Sequence, residues 1–159
     1  MQAKTTASTS RSLPGFMQNA EQYGLGTALV FDTSAWNRRT DPTVLPRWAA
    51  TRDSGLLAIC PMVALELLAA ARDEQAFQAL DQALQALPNA PVTHAVCERA
   101  LGASRELRGE RRLPAADYMI AAAAAERGFA VLHYDRHFEP LCSALGIESI
   151  WIAKPGSID

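Results

Sequence analysis

The 159-residue sequence predicts an α/β domain with three layers, in which helices cover both faces of a mainly parallel central sheet. Two observations support this fold class. Short apolar runs typical of buried strands occur at residues 28–31, 56–60 and 129–132. Segments with helix-starting residues and helical composition separate these runs. Strands that alternate with helices indicate a parallel sheet, because neighbouring parallel strands need a long crossover connection, usually a helix.

In the first half of the chain, the first predicted strand ends at Asp32, and Thr33 and Ser34 can cap the helix that follows. The short segment Val92-Thr93 is either a strand or a linker. The other predicted elements are a helix opened by Asp41-Pro42 that runs through Arg52, the strand 56–60, a helix from Pro61 to about residue 71, a helix capped by Asp73 that runs to Leu87, and a helix from His94 to about residue 107.

The segment from Leu113 to Phe138 organises the second half. Pro114 suits the first position of a helix, the alanine run at 121–125 favours helix strongly, and Gly128 is placed to end it. A buried strand follows and leads to Asp135. The last two predicted elements are a short helix at 138–145 and a strand at 147–152.

Composition limits the kind of protein this is. Hydrophobic residues make up 49% and charged residues 20%, as in a soluble globular domain, and the net charge of −2 provides no overall basic field for nucleic acid. Three cysteines without CxxC spacing indicate neither a disulfide framework nor a zinc site, and favour a reducing cytoplasm. We expect a leader at residues 1–26, a folded domain at 27–153 and a tail at 154–159, with no membrane segment.

Four carboxylates lie where predicted elements begin or end. Asp32 and Asp135 follow buried strands, and Asp117 lies in the first turn of a helix. Glu66 has apolar neighbours three and four residues away, which indicates the buried face of its helix. Each carboxylate also has a structural interpretation: a helix cap for Asp32 and Asp135, a favourable charge at a helix start for Asp117, and pairing with an arginine such as Arg72 for Glu66.

The predicted fold can bring these four carboxylates together, because ligands in open α/β sheets bind outside the carboxyl ends of the strands. Two unit charges about 4 Å apart repel by about 4 kcal/mol at an effective dielectric constant of 20. Such a cluster requires protons or a cation, and all-oxygen ligation favours Mg²⁺ or Mn²⁺ over Zn²⁺. An ion of this kind can activate water and stabilise a phosphoryl group, so the residues predict hydrolysis of a phosphodiester.

Four phrases that contain these acids, FDTSA, LELLAA, LPAADYMIAAAAAERGFAVLHYD and DRHF, resemble the PIN domain of VapC-type toxins. The resemblance runs from about residue 28 to residue 152. It implies a Mg²⁺-dependent endoribonuclease that acts on RNA as the toxin of a VapBC-type toxin–antitoxin system. It also implies a cognate VapB-type antitoxin and a homodimer.

The resemblance assigns roles residue by residue. Asp32, Glu66, Asp117 and Asp135 fall on the acidic positions of the family, and Ser34 falls on a hydroxyl that helps to orient the metal shell. As hypotheses, the three aspartates hold the ion, and Glu66 orients or deprotonates the attacking water, which leaves a 5′-phosphate and a 3′-hydroxyl.

The chain departs from the family pattern at three positions. Cys60 and Ala64 stand where relatives commonly carry Ser or Thr, which weakens the supporting hydrogen bonds. His137 stands where a further Asp is often found, so we expect no fifth carboxylate ligand there.

Arginines supply candidate RNA contacts. Arg111 and Arg112 precede the helix of Asp117, and Arg38 and Arg39 follow Asp32, so all four can grip phosphates near the mouth of the site. The alternative is a solvated charged face without a role in binding.

Three other functions remain open at this point. An inactive PIN-like interaction domain would normally have lost some of the acids. A phosphoacceptor signalling domain is suggested by Lys154-Pro155 after the last strand, but it needs an adjacent acidic pair, and Asp32 has only Phe31 and Thr33 beside it. A nuclease that threads DNA flaps needs extra loops for which this chain has little room.

Overall fold

The computed structural model describes residues 28–109 and 112–159, so the predicted leader and Arg111 lie outside the described residues. The described residues form four strands and seven helices. In chain order these are β1 (Leu29–Phe31), α1 (Thr33–Arg38), α2 (Leu45–Asp53), β2 (Leu57–Ala58), α3 (Pro61–Ala69), α4 (Glu74–Gln85), α5 (His94–Glu106), α6 (Ala115–Glu126), β3 (Ala130–His133), α7 (Phe138–Leu145) and β4 (Ser149–Trp151).

The four strands form one sheet in the order β2-β1-β3-β4, and every neighbouring pair is parallel. The two central strands, β1 and β3, are fully buried, as their continuous apolar sequences predict. The predicted three-layer α/β/α class with a mainly parallel sheet is confirmed.

Local capping explains where several helices begin and end. The carboxylate of Asp73 accepts a hydrogen bond from Ala76 N at 2.8 Å, as predicted for the start of α4. Gly146 ends α7 in the left-handed conformation with φ of 70°, which a residue with a side chain rarely adopts. Of the candidate caps for α1, the structure shows Asp32, rather than Thr33 or Ser34, in that position.

The structure corrects the start of α2 and decides between the two alternatives for Val92-Thr93. Helix α2 begins at Leu45 instead of Asp41, because Asp41 accepts hydrogen bonds from Thr43 N and Thr43 Oγ1 and so forms a turn. The segment Val92-Thr93 is a linker that ends in the cap of α5. The isolated bridge beside β2 instead joins Ile59 to Asn89.

Helix α6 runs through the interior of the domain. Its residues 120–124, one isoleucine and four alanines, are all buried, and the helix contacts α5, α7 and β3. Alanine side chains let neighbouring elements approach closely on every side, so the start of α6 is held firmly relative to the sheet. Among the described residues, no helix combines the length and apolar character needed to cross a bilayer.

Leu132→Ala should lower the free energy of unfolding by about 2–5 kcal/mol, because Leu132 is 1% exposed in central strand β3 and its truncation leaves a cavity. Urea denaturation measures this loss. The matched control is Leu101→Ala in α5, where the side chain is 49% exposed and the expected loss is below about 1 kcal/mol. Equal losses in the two variants would contradict the assignment of β3 to the core.

Candidate metal and catalytic site

The register between β1 and β3 places Asp32 beside the end of β3. Phe31 pairs with Leu132, and Asp32 N donates a hydrogen bond to Leu132 O at 2.9 Å. Because the two strands are parallel, the residues that follow them emerge at the same edge of the sheet. Asp32 and Asp135 therefore approach one edge from adjacent strands, as the sequence predicted.

Asp32 serves as a helix cap and also faces other acids. Its side chain accepts a hydrogen bond from Ser34 N at 2.8 Å, and the residue is only 6% exposed. Burial raises the pKa of Asp32, hydrogen bonds from Ser34 oppose the rise, and repulsion from Glu66 adds to it. The helix cap expected at Asp32 is thus present, and its role in a metal site stays a prediction.

Asp117 projects from the first turn of α6 toward the same edge, with its side chain 13% exposed. Burial raises its pKa from the ordinary 3.8 to about 6, a hydrogen bond from His137 opposes this rise, and repulsion from Asp32 and Asp135 increases it. The geometry agrees for Asp135, since one carboxylate oxygen of Asp117 lies within 4.8 Å of one of Asp135.

Asp135 and His137 complete the centre of the cluster. Asp135 Oδ1 accepts a hydrogen bond from His137 N at 2.9 Å. His137 Nδ1 lies 3.0 Å from Asp117 Oδ2 and 3.5 Å from Asp135 Oδ2. One potential ligand atom from each of the three residues lies within 4.8 Å of the others. We did not predict from the sequence that His137 belongs to this cluster, although its position two residues after Asp135 is a signal that could have indicated it.

The prediction that Glu66 lies on the buried face of its helix is wrong. Glu66 is exposed, and its Oε2 accepts a hydrogen bond from Thr33 Oγ1 at 2.5 Å. The buried residues of α3 are Val63 and Leu67, whereas Ala69 at the helix end is exposed. Alanine is apolar but small, so it gains little from burial and misleads a pattern based on apolar neighbours.

Although it is exposed, Glu66 lies near Asp32. Thr33, its hydrogen-bond donor, directly follows Asp32, and the charge of Glu66 raises the pKa of Asp32. The interpretation that Glu66 pairs with Arg72 is not borne out, since no such ion pair occurs within residues 28–109 and 112–159. From the sequence, Thr33 was predicted only as a possible helix cap, whereas in the structure its hydroxyl binds Glu66.

Ser34 and His133 hold the backbone at the end of β3. Ser34 Oγ accepts a hydrogen bond from Tyr134 N at 2.9 Å, which joins α1 to the chain just before Asp135. His133 is fully buried, its Nδ1 accepts from Asp135 N at 3.1 Å, and its Nε2 lies 2.6 Å from Ser149 Oγ. Burial lowers the pKa of His133 to about 4, so its ring is neutral near pH 7 and Nε2 carries the proton.

Of the departures from the family pattern, Cys60 has a visible consequence. Cys60 occupies the cap position of α3, where its side chain makes no capping hydrogen bond. Burial is the main reason that its thiol pKa is raised. The start of the helix that carries Glu66 therefore lacks the support that a serine or threonine supplies.

The arginines near Asp32 are already engaged within the domain. Arg38 donates to Ser34 O at 3.0 Å and lies over the ring of Tyr134, and Arg39 donates to Trp36 O at 2.8 Å and lies over the ring of Trp36. Arg112 is exposed, two residues before Pro114, which caps α6.

The side chains at this edge suit a divalent cation. Carboxylate oxygens dominate the donor set, and burial together with mutual repulsion leaves Asp117 in need of a positive charge nearby. No lysine or arginine forms an ion pair with any of the four acids within the described ranges.

Fold and site together define a class of α/β/α domains that carry a carboxylate cluster at the carboxyl edge of a parallel sheet. The PIN domain family matches residues 29–142 of this chain. Ribonuclease VapC18 of Mycobacterium tuberculosis is 34% identical over 132 residues, which are 80% of this chain and 96% of the relative. Ribonuclease VapC51 of the same organism is 35% identical over 132 residues, with coverage of 82% and 96%.

Solved structures agree on the fold. DNA-bound VapBC from Salmonella typhimurium matches with a TM-score of 0.62 and 17% identity, covering 80% of this chain and 99% of that chain. VapBC-5, a toxin–antitoxin system from Mycobacterium tuberculosis, matches with a TM-score of 0.56 and 24% identity, covering 78% and 98%. The chain belongs to the PIN domain family and, within it, to the VapC group.

Ser34→Ala should lower the free energy of unfolding by about 1–3 kcal/mol, because it removes the hydroxyl that accepts from Tyr134 N. Chemical denaturation measures the change, with Ser143→Ala at an exposed position of α7 as the control. A loss no larger than that of the control would show that this hydrogen bond does not hold α1 against β3.

Metal-free protein should lose stability as the pH rises from about 4 to about 6, because folding raises the pKa of Asp117 from the ordinary 3.8 to about 6. A carboxyl group with a raised pKa favours the folded state while it is protonated in both states, and this advantage disappears as the pH passes the folded-state pKa. Asp117→Asn, which stays neutral, should therefore be more stable than the wild type by at most about 3 kcal/mol near pH 8, and nearly equal near pH 4.

Urea denaturation in EDTA at both pH values measures this difference. Asp53→Asn, whose side chain is 61% exposed, is the control and should show no gain that depends on pH. The same gain for Asp117→Asn at both pH values would refute the electrostatic origin of the effect.

Proposed function

We propose that this protein is a divalent-metal-dependent endoribonuclease that acts as the toxin of a VapBC-type toxin–antitoxin pair. The observation that carries the proposal is the cluster of Asp117, Asp135 and His137 at the edge of the sheet where Asp32 follows β1. This arrangement occurs in a chain whose relatives at 34–35% identity are named ribonucleases. Mg²⁺ is the proposed ion, with Mn²⁺ as the alternative.

Three aspartates form the proposed metal-binding set. Asp32 is fixed by its cap hydrogen bond, Asp117 by the buried helix α6, and Asp135 by the hydrogen bond from His137 N. A divalent cation bound there would activate water and stabilise the charge of a phosphoryl group. Because the backbone around each aspartate is held before any ion binds, little ordering is needed on binding.

Glu66 is the proposed group that orients or deprotonates the attacking water. Its exposure leaves it open to water, and Thr33 Oγ1 holds one of its oxygens so that the other can accept a proton. Water-driven attack of this kind cleaves the phosphodiester to a 5′-phosphate and a 3′-hydroxyl and leaves the 2′-hydroxyl of the RNA unused.

Arginines near the site are proposed to position the RNA backbone. Arg112 is exposed, and Arg111 beside it lies outside the described residues. Arg38 and Arg39 each use Nη1 to bind a backbone carbonyl, which leaves further N–H groups of each guanidinium to donate to a phosphate.

The proposed partners follow from the family. Similar solved structures are toxin–antitoxin complexes, which supports a VapB-type antitoxin for this chain. We also propose a homodimer, as the resemblance to VapC-type toxins implies. Cys60, Cys97 and Cys142 are free thiols, in keeping with the proposed cytoplasmic location.

Partner-free wild-type protein should make discrete cuts in total cellular RNA with Mg²⁺ and none with EDTA. Glu66→Gln should lower the cleavage rate by about 10²-fold or more, because amide nitrogen and oxygen cannot accept the proton of the attacking water as a carboxylate does. Asp117→Asn should abolish cleavage, while Glu98→Gln and Asp53→Asn serve as exposed controls of the same chemistry. Mapping of the cleaved ends identifies the products.

Two results would contradict the proposal in different ways. Products with a 2′,3′-cyclic phosphate would exclude direct attack by water. Intact RNA from a folded wild type that binds metal would favour an inactive PIN-like interaction domain.

A further inference from the structure

We propose that His137 is itself a ligand of the bound ion, and that its nitrogen lowers the selectivity of this site for Mg²⁺, relative to an all-carboxylate site, in favour of first-row transition-metal ions such as Mn²⁺. The inference deepens the proposed function, since it rests on the same metal site. It depends on His137, where this chain has an imidazole in place of the carboxylate that is often found at this position.

The position of the ring supports ligation. Neighbouring ligand atoms of an octahedral ion with bonds of about 2.1 Å are separated by about 3.0 Å. His137 Nδ1 lies 3.0 Å from Asp117 Oδ2 and 3.5 Å from Asp135 Oδ2, so the three atoms are close enough together to share one ion. In the tautomer of neutral imidazole that carries its hydrogen on Nε2, Nδ1 has a lone pair that can bind an ion.

Backbone contacts of His137 determine where its imidazole ring lies. His137 N donates to Asp135 Oδ1 at 2.9 Å, while Asp135 Oδ2 is the oxygen that faces Nδ1. His137 is also the cap residue of α7, and the next residue, Phe138, is completely buried. The side chain of His137 is 32% exposed, so it can adjust by a small rotation without leaving the site.

The other histidine at this edge cannot take the same role. His133 is fully buried, and its two ring nitrogens are engaged by Asp135 N and Ser149 Oγ. A nitrogen ligand detected at this site therefore identifies His137.

The types of ligand atom in the site then determine its selectivity between Mg²⁺ and transition-metal ions. An imidazole in place of a carboxylate removes one negative charge from the ligand shell and replaces an oxygen with nitrogen. Mg²⁺ binds oxygen ligands and loses water reluctantly, whereas transition-metal ions accept imidazole nitrogen readily. We therefore expect the nitrogen to weaken Mg²⁺ binding more than Mn²⁺ binding.

Mn²⁺ is the probe, because it has an electron paramagnetic resonance signal. Purified wild type without partner or affinity tag should show ¹⁴N modulation from a directly bound imidazole in pulsed spectra of the Mn²⁺ complex, and His137→Asp should lose it. Calorimetric titration should show that the ratio of the Mg²⁺ to the Mn²⁺ dissociation constant falls about tenfold or more in His137→Asp, because an all-oxygen shell suits Mg²⁺. His94→Asp, at an exposed histidine in α5, should leave both results unchanged.

Absence of the nitrogen signal in the wild type would overturn the inference without any variant, and so would an unchanged ratio in a folded His137→Asp protein. These readouts are independent of RNA. Cleavage of RNA without a nitrogen signal would refute only the ligand role of His137, whereas a nitrogen signal without cleavage would refute the proposed function and leave the ligand role intact.

Discussion

The site depends on the parallel register between β1 and β3. The hydrogen bond from Asp32 N to Leu132 O at 2.9 Å fixes where the two strands end relative to each other. Ser34 Oγ also accepts a hydrogen bond from Tyr134 N, which joins the segment that follows β1 to the segment that follows β3. The first turn of helix α6 places Asp117 at the same edge of the sheet. A shift of one residue between the strands would turn Asp32 or Asp135 away from this edge, because side chains alternate between faces.

The same arrangement sets function against stability. Burial raises the pKa of both Asp32 and Asp117, so each ionised carboxylate opposes folding of the metal-free protein. The surrounding core makes this tolerable: β1, β3 and residues 120–124 of α6 are all buried, and their apolar contacts outweigh the local repulsion. Neutral His133 contributes hydrogen bonds at the site without adding charge.

The sequence predicted the fold well because its signals were local. Continuous apolar runs identified β1 and β3, Asp73 capped α4 as expected, and Gly146 ended α7. It predicted Glu66 poorly. The helix face was judged from neighbours such as Ala69, and an alanine at a helix end contributes too little hydrophobic free energy to define a buried face.

The sequence by itself determined the α/β class, the order of the elements and the acids that follow the strands, because propensity, capping and periodicity act over a few residues. Only the tertiary structure decided that His137 Nδ1 lies between Asp117 and Asp135, and that Thr33 holds Glu66. These contacts join residues 20 and 33 positions apart in the chain, for Asp117 with His137 and for Thr33 with Glu66. Residues this far apart in the chain come into contact only when the strands pair and α6 packs against the sheet. No local sequence pattern therefore reveals these contacts.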